Sequence, residues 1–401
     1  MLSCKSPYEP MEDSTLLESY VRQYAKGSVL DMGTGSGIQA TTAAHSNKVV
    51  SILATDIQKS TIDYCKKCIK NRKITFKVSD LFENIPDKKF DTIIFNPPYL
   101  PQDLKIKDLT LDGGKKGYEV IERFLNNANN FLKLDGIILI VFSSLTKKEK
   151  IDEFIKNNLL EFELLEKQHY FFEDLYVYKI IKPEILKTLE KNKIKNIRYF
   201  AKGKRGIVYT GWYKNKKVAI KVKNPDSKAI LRINNEIKYL KILNKKNIGP
   251  KLLDYDETYL IYEFVDGKNI LELFYTMNKK INKNKKNNYK KMLLKIIKKI
   301  IHQLSVLDEL KINKEEMSHP QKHIIIDKKN NPILLDFERT HYTIKPSNVT
   351  QFCDFLISNY TLEELNNKKI KIDKNNIIDA AKIYKQHQNK NNFNDIINQI
   401  K

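Results

Sequence analysis

Up to about residue 182, short apolar runs alternate with stretches whose apolar positions return at helical spacing. The runs are "GSVLDMG", "KVVSILATD", "KITFKVSD", "FDTIIFNPP" and "GIILIVFSS". Runs this short, separated by helices, predict strands buried on both faces of a parallel sheet, within a three-layer α/β domain. Two further runs, "FELLEKQHY" and "LYVYKIIKP", lie too close together for a crossover helix and are expected to pair antiparallel at the sheet edge. After Pro183 the pattern changes. "NIRYFAKGKRGIVYTGWYKNKKVAIKVKNP" holds three closely spaced strands, which fits an antiparallel meander. A helix over about 228–244 and two strands in "KLLDYDETYLIYEFVDG" follow. Apolar positions return at helical spacing over about 289–310. They come after a lysine- and asparagine-rich stretch near 278–291 that predicts a flexible or weakly helical insertion.

These patterns divide the chain into an α/β domain over 1–182, a linker over 183–196, an α+β domain over 197–360 and a helical extension over 361–401. A length of 401 residues is in keeping with more than one domain. No apolar run approaches the roughly 18 residues that cross a bilayer. The start, "MLSCKSPYEPMED", lacks the basic head and apolar core of a signal peptide, so a cytoplasmic protein with no membrane partner is expected. Cys4, Cys65, Cys68 and Cys353 are too few and too scattered for a disulfide framework. Cys65 and Cys68 fall in a predicted helix, with no second pair to complete a zinc site. The formal charge of +24, nearly all lysine, favours anionic partners such as ribosomal RNA, tRNA or acidic proteins, and steers encounter without selecting a target. Aromatic and basic residues do not interleave into a nucleic-acid module, and abundant lysine, asparagine and isoleucine also mark chains from AT-rich genomes.

The candidate chemistry sits where strands end. "VLDMGTGSG" puts Asp31, Gly33, Gly35 and Gly37 at a strand-to-helix turn, where glycines let backbone approach a ligand. The second strand ends at Asp56, placed to grip two ribose hydroxyls. The third ends at Asp80 and Leu81, placed to take an adenine amino group and flank its ring. Successive acids at strand ends predict an adenosine-containing ligand, without separating NAD from S-adenosylmethionine. "FNPPYLP", residues 95–101, separates them. Two prolines remove backbone donors and fix the chain direction, so that the Asn96 side-chain oxygen and the Pro97 carbonyl can accept both hydrogens of a substrate NH2 while Tyr99 packs against a flat amide or base. Such a clamp suits a nitrogen whose lone pair is delocalised, because holding it and stabilising its developing charge requires no strong base.

With "NPPY" after such a sheet, the first half resembles the class I (Rossmann-like) amino-methyltransferases. "YEPMEDSTLL" and "LDGGKKGYEVIERFL" resemble the short archaeal and eukaryotic branch of the HemK family. The resemblance covers roughly residues 5–182. It implies methyl transfer from S-adenosylmethionine to the glutamine amide of the GGQ motif in class 1 translation release factors. It assigns Asn96, Pro97, Pro98 and Tyr99 to catalysis and Asp31, Gly33, Gly35, Asp56 and Asp80 to the donor. Tyr8, Pro10, Glu12, Asp13 and Ser14 match a leader packed over the cofactor. It also implies a small zinc-binding activator resembling Trm112. A nucleic-acid N6-adenine methyltransferase stays open, since adenine presents the same flat NH2. So does a translation-associated binding module.

In the second half, Gly203 and Gly206 fall in a hairpin turn, Lys221 ends the third strand and Glu236 lies on the next helix, a carboxylate set to fix the ammonium group. With "LIYEFVDG" and "ILLDFERT", this series resembles the protein-kinase-like fold, especially the RIO and Bud32 types. The resemblance implies ATP and Mg2+, with Asp336 of "LDFE" as a metal ligand, although Glu338 replaces the usual glycine. "INKEEMSHPQKHIIID" departs from the ordinary catalytic loop. It offers Glu316 for the base and, with two residues inserted, His323 for the metal-binding asparagine. An atypical kinase, an ATPase or nucleotide-dependent switch, and a scaffold all remain open.

Overall fold

The computed structural model describes residues 9–101, 112–203, 206–223, 232–275 and 283–401. It divides into two compact units: Met1–Tyr199 with Gly211–Lys214, and Phe200–Thr210 with Asn215–Lys401.

The first unit is built on seven strands: β1 (Gly27–Met32), β2 (Val49–Asp56), β3 (Ile74–Val78), β4 (Phe90–Phe95), β5 (Leu132–Ser143), β6 (Glu161–His169) and β7 (Asp174–Ile181). They form one sheet in the order β3-β2-β1-β4-β5-β7-β6. β1 to β5 run parallel, β7 is antiparallel to β5, and β6 pairs antiparallel with β7, matching the strand pattern and edge hairpin expected from sequence. The helices are α1 (Glu12–Tyr24), α2 (Ile38–Ala44), α3 (Lys59–Cys68), α4 (Glu119–Phe131), α5 (Lys148–Asn157) and α6 (Glu184–Lys191). Central strands bury both faces: Val29, Leu30, Ile93, Ile94, Leu139 and Ile140 have no exposed surface. The strand order reverses between β1 and β4, which opens a crevice at the carboxyl ends of these strands. Residues 183–196, expected as a linker, include α6, whose Leu186 and Leu189 are fully buried.

The second unit is α+β. Its sheet, in the order β11-β12-β10-β9-β8, is built from β10 (Lys216–Lys223), β11 (Leu252–Tyr255) and β12 (Tyr259–Glu263) with the parts of β8 (Lys195–Lys202) and β9 (Gly206–Tyr213) that fall within it. β12 pairs antiparallel with both β10 and β11. The helices continue as α7 (Arg232–Asn244), α8 (Ile270–Tyr275), α9 (Lys283–Glu309), α10 (Asn348–Leu356), α11 (Asn359–Asn367), α12 (Lys374–Gln386) and α13 (Lys390–Asn398). The expected insertion near 278–291 is helical from Lys283 onward, and its earlier part lies outside the described residues. The last forty residues complete the core: Leu365, Ile377, Tyr384 and Ile396 join one buried cluster with Ile297, Ile300 and Leu304 of α9. Among the described residues, no helix is long and apolar enough to cross a membrane.

Candidate active site

A cavity of about 350 Å³ opens at the carboxyl ends of β1 to β4. Asp13, Ser14, Gly33, Gly35, Asp56, Asp80, Leu81, Asn96, Pro97 and Tyr99 line it, so residues separated by up to 86 positions in sequence share one wall. Glu12 is exposed outside it, and Tyr8 lies outside the described residues.

Asp31 does not reach the cavity. Its carboxylate accepts from Thr34 Oγ1 at 2.6 Å and from the Ala40 backbone N–H at 3.1 Å, tying the glycine-rich turn to the start of α2. Burial pushes its pKa up to about 7, against those two hydrogen bonds. Asp56 is also pushed upward by burial. It accepts from the Gly35 N–H at 3.1 Å and the Gln58 N–H at 2.9 Å, which fixes the turn from the other side. Asp80 pairs with Arg123 at 2.8 Å, a partner that sequence reading missed because it arrives from α4, 43 residues later. Cys65 is buried, with its Sγ 3.3 Å from the Gly35 carbonyl and its thiol pushed up to about 12 by burial, so it packs beneath the turn as an inert thiol.

The "NPPY" segment leaves β4 with its side chains held from α1. Asn96 Nδ2 donates to Asp13 Oδ2 at 3.1 Å and to Ser14 Oγ at 3.2 Å, which orients the amide and leaves the buried Oδ1 unpartnered among the described residues. Tyr99 Oη donates to the same Asp13 oxygen at 3.3 Å. Gln39 Nε2 donates to the Ser14 carbonyl at 2.8 Å, bracing α1 against α2, and its own buried Oε1 likewise has no described partner. Gly113 and Gly117 support the loop from below. The Gly113 N–H donates to the Leu100 carbonyl at 2.8 Å, and a Cβ on Gly113 would stand 2.3 Å from the Gly117 carbonyl and 2.8 Å from that of Pro98. Gly117 has φ +85°, and a Cβ there would meet the Tyr99 carbonyl at 2.6 Å. These close backbone contacts require glycine. The residues present fit S-adenosylmethionine: two carboxylates, Asp56 and Asp80, line a cavity of suitable size at successive strand ends, beside an Asn96 whose buried Oδ1 has no partner among the described residues.

The second unit has its own polar cluster. Lys221, on β10, lies 2.7 Å from Glu236 of α7, 3.3 Å from Asp336 and 2.7 Å from Glu338. Burial acts to lower the Lys221 pKa, but the three carboxylates outweigh it and hold the ammonium well above its ordinary value. Gly206 is packed on this lysine, since an added Cβ would stand 3.2 Å from Lys221 Cε, and the Gly203 N–H donates to the Gly206 carbonyl at 2.9 Å. Glu236, Asp336 and Glu338 present carboxylate oxygens close enough together to hold one cation. His323, expected as a metal ligand beside Asp336, instead sets its Nε2 3.0 Å from Glu316. The other Glu316 oxygen takes Arg339 at 2.8 Å. Both oxygens of the expected base are therefore engaged. Lys314 also escaped sequence reading: it is buried, donates Nζ to the Asp336 carbonyl at 2.6 Å, and has its pKa driven down to about 8 by burial.

The methyltransferase small domain family matches residues 12–172. A Methanocaldococcus jannaschii protein assigned as a protein N5-glutamine methyltransferase is 40% identical over 154 residues, covering 36% of this chain and 77% of that protein. The release factor glutamine methyltransferase of Rhodopirellula baltica is 34% identical, covering 29% of this chain and 44% of its own. The ribosomal protein uL3 glutamine methyltransferase of Bordetella pertussis is 31% identical, covering 28% and 42%. The chain thus spans less than half the length of these two bacterial relatives. The solved E. cuniculi Mtq2–Trm112 complex aligns at 22% identity over 44% of this chain and 98% of that one, with a TM-score of 0.37, too low to carry an inference. The glycine turn, the strand-end acids and the braced "NPPY" loop all lie within the matched segment, and through it the chain belongs to the protein N5-glutamine methyltransferase family.

Proposed function

We propose that the first unit methylates the side-chain amide of a protein glutamine, the one in the GGQ segment of a class 1 translation release factor. The observation that carries this reading is the Asn96 amide, oriented by Asp13 and Ser14 with its oxygen left to accept from a substrate. S-adenosylmethionine supplies an electrophilic methyl on a sulfonium. The protein's part is positional: Asn96 Oδ1 and the Pro97 carbonyl hold the two amide hydrogens, and Tyr99 packs on the amide plane. The clamp fixes the nitrogen toward the methyl and stabilises charge as its lone pair is drawn out of conjugation. Relatives that act on release factors and on uL3 support a protein acceptor over a nucleic acid.

The test is transfer of labelled methyl from S-adenosylmethionine, with and without a Trm112-like partner, to a GGQ-bearing release factor or to adenine-containing DNA and RNA. Label on the GGQ glutamine is expected. Label on adenine alone would overturn the reading.

For the second unit we propose binding of a magnesium nucleotide in the manner of an atypical kinase. Support comes from the Lys221–Glu236 pair, which fixes an ammonium beside Asp336 and Glu338. Glu316, held at both oxygens, would have to release His323 or Arg339 before acting as a base. Calorimetry with Mg·ATP tests this, and affinity that survives Lys221→Met combined with Asp336→Ala would refute it.

A further inference from the structure

Glu173 lines the catalytic cavity together with Asn96, Tyr99 and Asp13, outside the proposed amide clamp. Its Oε2 is buried with no hydrogen-bond partner among the described residues. A carboxylate oxygen accepts hydrogen bonds, and one buried without a donor is costly, so the site favours a ligand that brings an N–H or O–H to it. The residue is held in place by its surroundings. It closes the β6–β7 turn, where its carbonyl accepts from the Tyr170 N–H at 2.8 Å. The next residue, Asp174, donates its N–H to Ser144 Oγ at 3.1 Å and pairs with Lys167 at 2.9 Å and His169 at 2.8 Å.

The sheet order decides which ligand this oxygen meets. Asp56 ends β2 and Asp80 follows β3, both on one side of β4, whereas the β6–β7 turn lies on the other, so Asn96 stands between these two acids and Glu173. The same turn carries Phe171 and Phe172, 88% and 86% exposed and packed edge to face at 4.6 Å. An apolar ledge beside an unsatisfied acceptor suits a peptide, which offers backbone N–H groups flanked by carbon. It does not suit a nucleic acid strand, whose phosphates a carboxylate repels.

We propose that Glu173 is a specificity-determining residue for the acceptor: its carboxylate takes a backbone N–H of the segment bearing the target glutamine, with Phe171 and Phe172 as the adjoining ledge. This rests on the glutamine-acceptor reading. Asn96 and Pro97 already occupy the two side-chain amide hydrogens, so the backbone beside the glutamine is the donor left for Glu173.

The experiment compares the full chain with its Glu173→Met and Glu173→Gln variants, using a GGQ-bearing release factor as acceptor and calorimetry for S-adenosylmethionine. Losing a hydrogen bond to a charged group should raise the acceptor KM of Glu173→Met about tenfold or more, with kcat changed little. S-adenosylmethionine affinity should be unchanged. Glu173→Gln keeps a carbonyl acceptor and should recover most of the loss, which a purely structural role would not predict. Phe171→Ala with Phe172→Ala should also raise KM. An unchanged KM in Glu173→Met, while the wild type methylates glutamine, would overturn this inference alone. So would a tenfold loss of S-adenosylmethionine affinity, which would make Glu173 a partner of the cofactor's ammonium. Failure of the wild type to label glutamine would overturn both.

Discussion

Asp13 Oδ2 lies 3.1 Å from Asn96 Nδ2 and 3.3 Å from Tyr99 Oη, so one oxygen on the first turn of α1 orients two side chains of the "NPPY" loop. With its nitrogen bound to Asp13 and Ser14, Asn96 keeps its Oδ1 without a partner among the described residues. Replacing Asp13 by Ala should free the amide to rotate and lower kcat about a hundredfold, the scale expected when a positioning contact is lost. S-adenosylmethionine affinity should stay within a few-fold, because Asp56 and Asp80 are untouched. Single-turnover kinetics beside calorimetry separates the two effects. An equal loss in both would place Asp13 on the cofactor instead.

Gly113→Ala addresses the same loop from beneath. The added Cβ would stand 2.3 Å from the Gly117 carbonyl and 2.8 Å from the Pro98 carbonyl, both backbone atoms that cannot rotate away. The loop must shift, at a cost of about 1–3 kcal/mol typical of overpacking. The expected outcome is a lowered Tm together with a drop in kcat larger than any change in acceptor KM. Retained kcat at lowered Tm would mean that "LDGG" supports the fold without aligning the loop.

Much of this was legible in the sequence because the methyltransferase half obeys local rules. Five apolar runs became five parallel strands, and Asp56 at the end of β2 and Asp80 just after β3 line the cavity at the strands' carboxyl ends. The parts that were not legible depend on contacts between distant elements. Arg123 reaches Asp80 across 43 residues, and Glu173 joins Asn96 only because β6 and β7 fold back beside β5. Asp31 read as a cofactor ligand because strand-end acids usually are, but its carboxylate turns inward to Thr34 and Ala40. In the second half, lysine is so common that Lys314 carried no signal, and its burial depends on tertiary packing alone.

Asp31 predicts opposite pH responses for stability and for cofactor binding. Its folded pKa is raised from 3.8 to about 7 by burial, so between those values the folded protein keeps a proton that the unfolded chain has released. Its stabilising contribution is therefore complete below about pH 4 and lost as pH rises through 7. If S-adenosylmethionine binds in the cavity, its positive charge is favoured by the ionised form, so affinity should weaken several-fold as pH falls from 8 to 6. Asp31→Asn, which keeps an acceptor for Thr34 and Ala40, should flatten both profiles. Calorimetry across that range checks binding and thermal melts check stability. A pH dependence that persists in Asp31→Asn would assign the titration to another group.

Lys314 gives the sharpest prediction for the second unit. Its buried ammonium donates to the Asp336 carbonyl at 2.6 Å and lies 5.1 Å from the Phe337 ring, holding the backbone at Asp336 where φ is +62°. Burial lowers its pKa from 10.5 to about 8, so between these values the unfolded chain holds a proton that the folded protein has lost. Raising the pH through that window should stabilise the wild type relative to Lys314→Met, by an amount on the order of 3 kcal/mol. Denaturant melts at pH 7.5 and pH 10 measure the difference. If nucleotide binds at Lys221 and Asp336, Lys314→Met should also weaken Mg·ATP about tenfold, because the carbonyl left without its donor lets Asp336 move. A stability gap that stays constant with pH would show that Lys314 remains charged throughout, and unchanged nucleotide affinity would separate its role from the Asp336 carboxylate.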